Sequence, residues 1–219
     1  TLLVIFLVKD VPISEERRNR KVELISDLKE ALKNKGILFT MIMFFLIQVC
    51  VMLLQPLITM YVGQLMGQVN DEAVQMAGVI FSLAGISGIL AAPFWGKRGQ
   101  RYGYVKTFCY ITFGAGVVNL LQFFTTDVYQ FAVVQFIYGL FLAGAIPNIN
   151  ANLAEVTDKS IRGKAFGLVT SAQMSGGFVG PLLGGALGYF LPTKLVIIST
   201  GIILISVAGY TYLKKIKEL

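Results

Sequence analysis

The segment Gly96–Lys106, GKRGQRYGYVK, lies between two long apolar stretches, and the interpretation of the whole chain starts from it. It contains four cationic residues, three glycines and no carboxylate. Lys and Arg resist transfer across a bilayer, so a short basic segment between membrane spans stays in the cytoplasm. Glycine permits a tight turn and a close approach of neighbouring helices. The sequence therefore predicts a short cytoplasmic loop here, and the side of this loop fixes the side of every other loop.

The composition is typical of a membrane protein. Of the 219 residues, 55% are hydrophobic and 14% are charged, whereas soluble domains carry about 25% charged residues. The formal net charge of +7 could suit a nucleic acid or anionic lipid, but the cations lie between apolar runs, so we expect a lipid bilayer and no nucleic acid as the partner. There is no His, and Cys50 and Cys109 lie in different apolar runs. No metal site and no cofactor are therefore expected.

The chain divides into four regions. Residues 1–8 are apolar but too few to cross a bilayer, which takes about 20 residues, so we interpret them as the end of a truncated transmembrane helix. Residues 9–35 contain eight Lys/Arg and six Asp/Glu, and their apolar residues at helical spacing predict an amphipathic helix in a cytoplasmic central loop. Residues 36–213 form the membrane region, and 214–219 form a cytoplasmic tail.

Six apolar runs within 36–213 are each long enough to cross the hydrocarbon core of a bilayer as a helix. Because helices and closed barrels alone satisfy the backbone in lipid, and runs this long exclude barrel strands, the predicted fold class is an all-α integral membrane protein. The runs are 36–63, 73–95, 104–125, 127–150, 164–190 and 193–213. Of the 19 Lys and Arg residues, 18 fall on one side of the resulting alternation and Lys194 falls on the other. The sequence thus predicts a multi-pass protein of the cell membrane with both ends of the chain cytoplasmic.

Amides and tyrosines are the polar groups inside these runs. Amides within spans often join helices by hydrogen bonds worth about 0.6 kcal/mol each, but mid-depth amides on three different runs also suit one shared cavity. Flexible Met and aromatic side chains would give that cavity adaptable apolar walls. The predicted substrate cavity consists of Gln48, Met52, Gln55, Phe81, Gln135, Tyr138 and Gln173.

The fifth run has small residues at every fourth position, with a proline among them. Small residues at this spacing let helices pack closely, and proline removes a backbone hydrogen bond and kinks the helix. This pattern predicts tight packing, and a helix that can tilt during gating. The residues concerned are Gly176, Gly180, Pro181, Gly184 and Gly185.

Two motifs at matching positions resemble those of the major facilitator superfamily. Gly96-x-x-Gly99-Gln100-Arg101-x-Gly103, with Lys106 following, is similar to the loop signature between the second and third spans of each half, although Gln100 stands where that signature has Asp. The segment 176–185, GGFVGPLLGG, resembles the fifth-span motif of the antiporters, and 162–167 resembles the drug-exporter branch. The resemblance covers essentially the whole chain. It implies a six-transmembrane-helix bundle, one half of a twelve-helix fold with a 3+3 inverted repeat.

Departures from the family pattern indicate which half this is. The amino-terminal half usually has an arginine four residues before a glycine in its fourth span, and here Gln135 stands four residues before Gly139. The resemblance therefore favours the carboxy-terminal half, with the amino-terminal half as the alternative. Its partner within the same protein would then be the amino-terminal six-helix half.

The resemblance also implies a cytoplasmic gate. By that similarity Arg101 would pair with Glu155, assisted by Arg98 or Lys97. The alternative is that these cations only set the topology and have no partner. The implied gate residues are Gly96, Lys97, Arg98, Gln100, Arg101, Gly103, Lys106, Glu155 and Arg162.

The function implied by the resemblance is multidrug efflux by alternating access, and no enzyme activity is expected. The substrate would be small and amphipathic or cationic, and the proton gradient is the expected driving force. Asp127 lies at the outer end of the fourth run, and no carboxylate lies deeper inside a predicted span, so this segment by itself indicates no proton relay. The alternatives are a carrier of the same fold for a sugar or other small metabolite, and a membrane scaffold that transports nothing.

Overall fold

The computed structural model describes residues 33–217, and their side chains as far as Lys214. Residues 1–32 and 218–219 lie outside the described part, so the truncated first helix and the amphipathic helix of the central loop remain predictions. The described residues form seven α-helices, and a short 3₁₀ helix, Gln122–Phe124, extends the third of them. The helices are α1 Lys35–Met66, α2 Asp71–Tyr102, α3 Tyr104–Leu121, α4 Val128–Leu142, α5 Ala145–Val156, α6 Arg162–Phe190 and α7 Thr193–Lys217.

The all-helical prediction is confirmed, since residues 33–217 contain no strand. Five helical segments are long and apolar enough to cross a membrane: α1, α2, α3 with its 3₁₀ extension, α4 together with α5, and α7. The remaining helix, α6, covers the fifth predicted run but is not among these five, because its glycines, serines and Gln173 make it less apolar. Together the helices form an integral membrane bundle.

The prediction of a loop over 96–106 is wrong, because this segment is helical except at Gly103. Helix α2 continues to Tyr102, and α3 begins at Tyr104. Between them Gly103 takes a φ of 91°, a backbone conformation that side chains other than glycine rarely adopt. The helix persists because Lys, Arg and Gln are good helix formers and nothing before Gly103 breaks it. The connection between the two helices is a single residue.

The basic residues share one end of the bundle, which we call the basic end. It comprises the start of α1, the α2–α3 turn, the α5–α6 connection and the end of α7. Among the described Lys and Arg residues, only Lys194 lies at the opposite end. There its Nζ donates to the Thr125 carbonyl oxygen at 3.2 Å, at the end of the 3₁₀ helix.

Several helix pairs approach closely at glycines, and one of them is α1 with α6. A Cβ atom at Gly176 would lie 2.6 Å from the Phe45 carbonyl oxygen, and one at Gly180 would lie 2.7 Å from the Met52 Cβ. At Gly184 a Cβ would meet the backbone of Leu53. A larger residue at any of these positions would push the two helices apart. The close packing expected of this glycine repeat is therefore present at these three positions, whereas a Cβ at Gly185 would have nothing within 4 Å.

Two further pairs are α3 with α7 and α2 with α4. A Cβ at Gly116 of α3 would lie 2.9 Å from the Gly201 carbonyl oxygen of α7. One turn away, Asn119 Nδ2 donates to Thr200 Oγ1 at 2.8 Å. Gly139 of α4 lies against Ser87 of α2 in the same way. Backbone contact at glycines is thus the common means by which the bundle is packed.

The fourth predicted run is broken into α4 and α5. Pro147 has no N–H to donate to the Ala143 carbonyl, and the Gly144 N–H bonds to Phe141 O at 3.2 Å and not to Leu140 O. The Leu140 carbonyl, left without its helical donor, accepts a hydrogen bond from Trp95 Nε1 of α2 at 2.7 Å. The indole of Trp95 on the neighbouring helix therefore supplies the hydrogen bond that the Leu140 carbonyl loses at the break.

Candidate functional site

A cavity of about 370 Å³ lies between α1, α2 and α4, and we call it the central cavity. Its wall includes six of the seven residues predicted to form a substrate cavity: Gln48, Met52, Gln55, Phe81, Gln135 and Tyr138. The seventh, Gln173 on α6, is not part of this wall. Its Nε2 lies 3.4 Å from Gln48 Oε1 and donates to it. Gln173 therefore contacts a residue of the wall without lining the cavity itself.

Helix α1 supplies Gln48, Met52 and Gln55 to the cavity from successive turns of one face. Pro56 follows directly within the helix. Because proline has no N–H, the Met52 carbonyl four residues earlier has no helical donor. The wall contributed by α1 therefore carries two side-chain amides just before a proline in the helix.

Gln135 is oriented by a residue that the sequence analysis missed. Gln122 Nε2 donates to Gln135 Oε1 at 2.8 Å, and the two side chains are only 1% and 5% exposed. Because Gln135 Oε1 is engaged, its amide nitrogen is left to donate. Gln122 is an amide at the end of an apolar run, and this was the signal that could have identified it.

Tyr138 lines the cavity, and its hydroxyl is buried and unpaired. The residue is 5% exposed and belongs to a buried cluster with Cys50, Ala115 and Leu204. Its OH has no hydrogen-bond partner among the described residues, and an unsatisfied buried polar group costs about 1–3 kcal/mol. A ligand would recover that cost only in a conformation that exposes this hydroxyl to the cavity.

No charged side chain lines the central cavity among the described residues. Its polar groups are amides and one phenol, and aliphatic and aromatic carbon forms the rest of the wall. Such a site can hold a molecule of mixed apolar and polar character by hydrogen bonds and shape. It contains no group able to act as a nucleophile beside a base, so covalent chemistry has no basis in this wall.

The predicted gate residues lie at the basic end, where aromatic rings contact two of them. The Arg98 guanidinium lies 5.4 Å from the Phe94 ring centroid and 5.5 Å from that of Tyr102. Arg101 lies 5.3 Å from the Tyr102 ring. These are cation–π distances. The exposed Lys97, Gln100 and Lys106 lie on the same part of the bundle.

The structure does not bring Arg101 and Glu155 together as an ion pair within residues 33–217, and Glu155 is exposed. Arg162, a third predicted gate residue, donates from Nη2 to the Ala154 carbonyl at 2.7 Å. A cation at this position satisfies the end of α5 and complements the helix dipole.

Two glycines of the gate motif have different surroundings. A Cβ at Gly99 would collide with Asn148 Oδ1 and lie 2.7 Å from Tyr104 Cδ1, whereas a Cβ at Gly96 would have nothing within 4 Å. Asn148 in turn donates from Nδ2 to the Trp95 carbonyl at 3.3 Å and the Gly144 carbonyl at 2.8 Å. Gly99 is therefore the position at which α2 meets α5.

Comparisons with known proteins agree with this architecture. The family model described as Major Facilitator Superfamily matches residues 72–217. The uncharacterized MFS-type transporter YuxJ of Bacillus subtilis (strain 168) is 30% identical over 185 residues, which cover 84% of this chain and 47% of YuxJ. Multidrug resistance protein MdtG of Yersinia enterocolitica is 33% identical over 136 residues, or 62% of this chain and 32% of MdtG. MdtG of Escherichia coli is 32% identical over the same length, covering 33% of that protein. The chain thus spans about half or less of the curated relatives it matches.

Proposed function

Because the chain belongs to the major facilitator superfamily, we propose that it exports small amphipathic or cationic molecules across the cell membrane by drug:proton antiport. The superfamily accounts for the multi-pass membrane character and for transport as the general activity. Multidrug efflux is the finer proposal. It is supported by the similarity to two multidrug resistance proteins and by the drug-exporter motifs at 162–167 and 176–185.

The observation that carries the proposal is the wall of the central cavity. Amides on α1 and α4 line a space that is bounded otherwise by Tyr138 and by apolar carbon. Transporters of this kind bind substrate near the midplane between two halves, which rock to expose it to either side. We propose that this cavity is the carboxy-terminal half's share of the substrate site, and that Phe81 and Met52 are the walls that adapt to different ligands.

The orientation of the bundle is part of the same proposal. The basic end would face the cytoplasm, since short loops rich in Lys and Arg are retained there. The amino-terminal six-helix half would complete the transporter. A membrane-impermeant thiol-reactive fluorophore should then label a Lys159→Cys variant, changed at the basic end, only after the cells are permeabilised.

Dye export tests the function directly. Cells expressing the full-length protein should retain less of a fluorescent cationic dye than control cells, and a protonophore should abolish the difference. Unchanged retention over a broad dye panel, with expression verified, would replace the efflux proposal by a narrow metabolite carrier on the same fold.

The cavity residues are tested in the same assay. Replacing Gln48, Gln55 and Gln135 by Leu should raise dye retention and change which dyes are exported, because each change removes a hydrogen-bonding group from the wall. Gln75→Leu is the matched control, since Gln75 is exposed on α2 and is not part of the wall. Equal export by the triple variant and the Gln75 control would refute the assignment of the cavity.

A further inference from the structure

A second cavity, of about 310 Å³, lies at the basic end between α1, α3, α5 and α7. We call it the basic-end cavity. Lys35 and Phe39 of α1, Val105 of α3, Asn152 of α5 and Lys214 of α7 are among the residues that line it. It shares no lining residue with the central cavity, and its volume lies in the range of small-ligand sites. The transport mechanism proposed above does not use it.

The charges on this cavity have one sign. Lys35 and Lys214 both line it, and among the described residues no carboxylate does. Two like charges that share a cavity repel each other, and an anion between them would convert that repulsion into attraction. The Lys214 ammonium lies 4.3 Å from the Phe39 ring centroid, a cation–π distance that holds this charge at the wall.

Hydrogen-bond donors add to the two charges. Asn152 brings a side-chain amide to the wall. Val105 lies in the first turn of α3, which has no side-chain cap at Gly103, and the first helical bond of α3 is from Thr107 N to Gly103 O at 3.1 Å. The preceding N–H groups therefore have no helical acceptors. In contrast, α1 is capped by Asn34, whose Oδ1 accepts from Gly36 N at 2.9 Å.

We propose that the basic-end cavity binds a phosphate group between Lys35 and Lys214, with Asn152 as a neutral donor. A phosphate has several acceptor oxygens, so it can engage two ammonium groups and an amide that reach it from three different helices. Basic pockets between transmembrane helices on the cytoplasmic side bind phospholipid head groups. The phosphate can be that of an anionic lipid in the adjacent leaflet or a free anion, and the experiment separates these sources.

The test measures lipid retention by native mass spectrometry on the full chain purified in detergent. The protein is incubated with equimolar phosphatidylglycerol and phosphatidylcholine. We expect the wild type to retain phosphatidylglycerol preferentially, and Lys35→Gln with Lys214→Gln to weaken this retention about thirtyfold, because each surface lysine contributes about 1 kcal/mol to anionic-lipid binding and about 1.4 kcal/mol corresponds to a factor of ten. Lys97→Gln with Lys159→Gln is the matched control. It removes the same charge from the same end but outside the cavity.

Inorganic phosphate distinguishes the sources. If millimolar inorganic phosphate displaces phosphatidylglycerol from the wild type, the cavity accepts the free anion as well. If it does not, while the Lys35/Lys214 variant still loses the lipid, the cavity requires a lipid-borne phosphate. Both results support a phosphate site. Equal phosphatidylglycerol retention by the wild type and the Lys35/Lys214 variant, or an equal loss in the control variant, would overturn it.

Asn152→Leu tests the cavity without changing its charge. The variant keeps both lysines but loses the amide donor and adds apolar surface, so we expect a several-fold weaker retention of phosphatidylglycerol. If the Lys35/Lys214 variant elutes as an aggregate in size-exclusion chromatography, Asn152→Leu alone tests whether the basic-end cavity binds phosphate. Unchanged retention by Asn152→Leu would then refute the proposal.

Discussion

The hydroxyl of Tyr138 is a polar group that the protein buries and leaves unpaired beside the central cavity. Tyr61 offers a contrast within the same bundle, since its OH lies 3.3 Å from Thr125 Oγ1 and shares a hydrogen bond with it. Both residues are buried. Tyr138 lines the central cavity and Tyr61 does not, so we expect the Tyr138 hydroxyl to meet a ligand in a conformation that exposes it.

Tyr138→Phe should therefore separate stability from function. Removing an unsatisfied buried hydroxyl relieves a penalty, so thermal unfolding in detergent should show equal or greater stability, by up to about 1–3 kcal/mol, while dye export should fall. Tyr61→Phe should instead lose about 1 kcal/mol, because it removes a paired hydroxyl. A Tyr138 variant that is destabilised like the Tyr61 variant, with normal export, would show that the hydroxyl is structural.

The two glycines of the basic motif make a second prediction at this scale. Gly99→Ala should destabilise the protein by about 1–3 kcal/mol, because its methyl group would collide with Asn148 where α2 meets α5. Gly96→Ala should be neutral or slightly stabilising, since alanine is the better helix former and nothing lies within 4 Å of its Cβ. Thermal unfolding of the two variants side by side measures the difference, and equal shifts would contradict it.

At the scale of the helices, the break between α4 and α5 depends on a partner from α2. Pro147 interrupts the backbone ladder, and Trp95 supplies the donor that the Leu140 carbonyl lacks. The wall of the central cavity continues across this break, since Leu142, Ala143 and Ile146 also line it. The shape of the cavity is therefore tied to an indole hydrogen bond on the neighbouring helix.

Trp95→Phe should cost about 0.5–1.5 kcal/mol, because it leaves the Leu140 carbonyl without a donor. In a Pro147→Ala background the helix can continue through the break and the Gly144 N–H can return to Leu140, so the cost of Trp95→Phe should become smaller. A double-mutant cycle on unfolding free energies measures this coupling. Additive effects of the two substitutions would show that the Trp95 hydrogen bond and the helix break at Pro147 are independent.

At the scale of the whole molecule, the family's gate predicts that Glu155 acts on turnover and not on binding. In this conformation Glu155 is exposed and Arg101 lies over Tyr102, and we expect the two residues to pair in a different conformation. Glu155→Gln should slow dye export while leaving equilibrium dye binding unchanged. Asp158→Gln, an exposed neighbour at the same end, is the control. Normal turnover in Glu155→Gln would remove this residue from the gate.

The sequence predicted the features that depend on local pattern. Long apolar runs gave the helices, and amides such as Gln48 and Gln135 inside those runs indicated which faces meet at a cavity. It did not predict features that depend on distant contacts. Three such features involve residues from different helices: the hydrogen bond from Gln122 to Gln135, the hydrogen bond from Trp95 to Leu140, and the cavity that Lys35 and Lys214 both line. Hydrophobic periodicity carries no information on these pairings.

The single-residue connection at Gly103 also governs how motion can spread through the bundle. Helix α2 walls the central cavity through Phe81 and Gly88, and α3 starts immediately after α2 ends. A linker of several flexible residues would absorb a change in the tilt of α2, but a connection of one residue has almost no slack. We therefore expect a change in the tilt of α2 to change the orientation of the first turn of α3 as well. We therefore expect a change in the shape of the central cavity to alter the position of the α2–α3 turn at the basic end of the bundle.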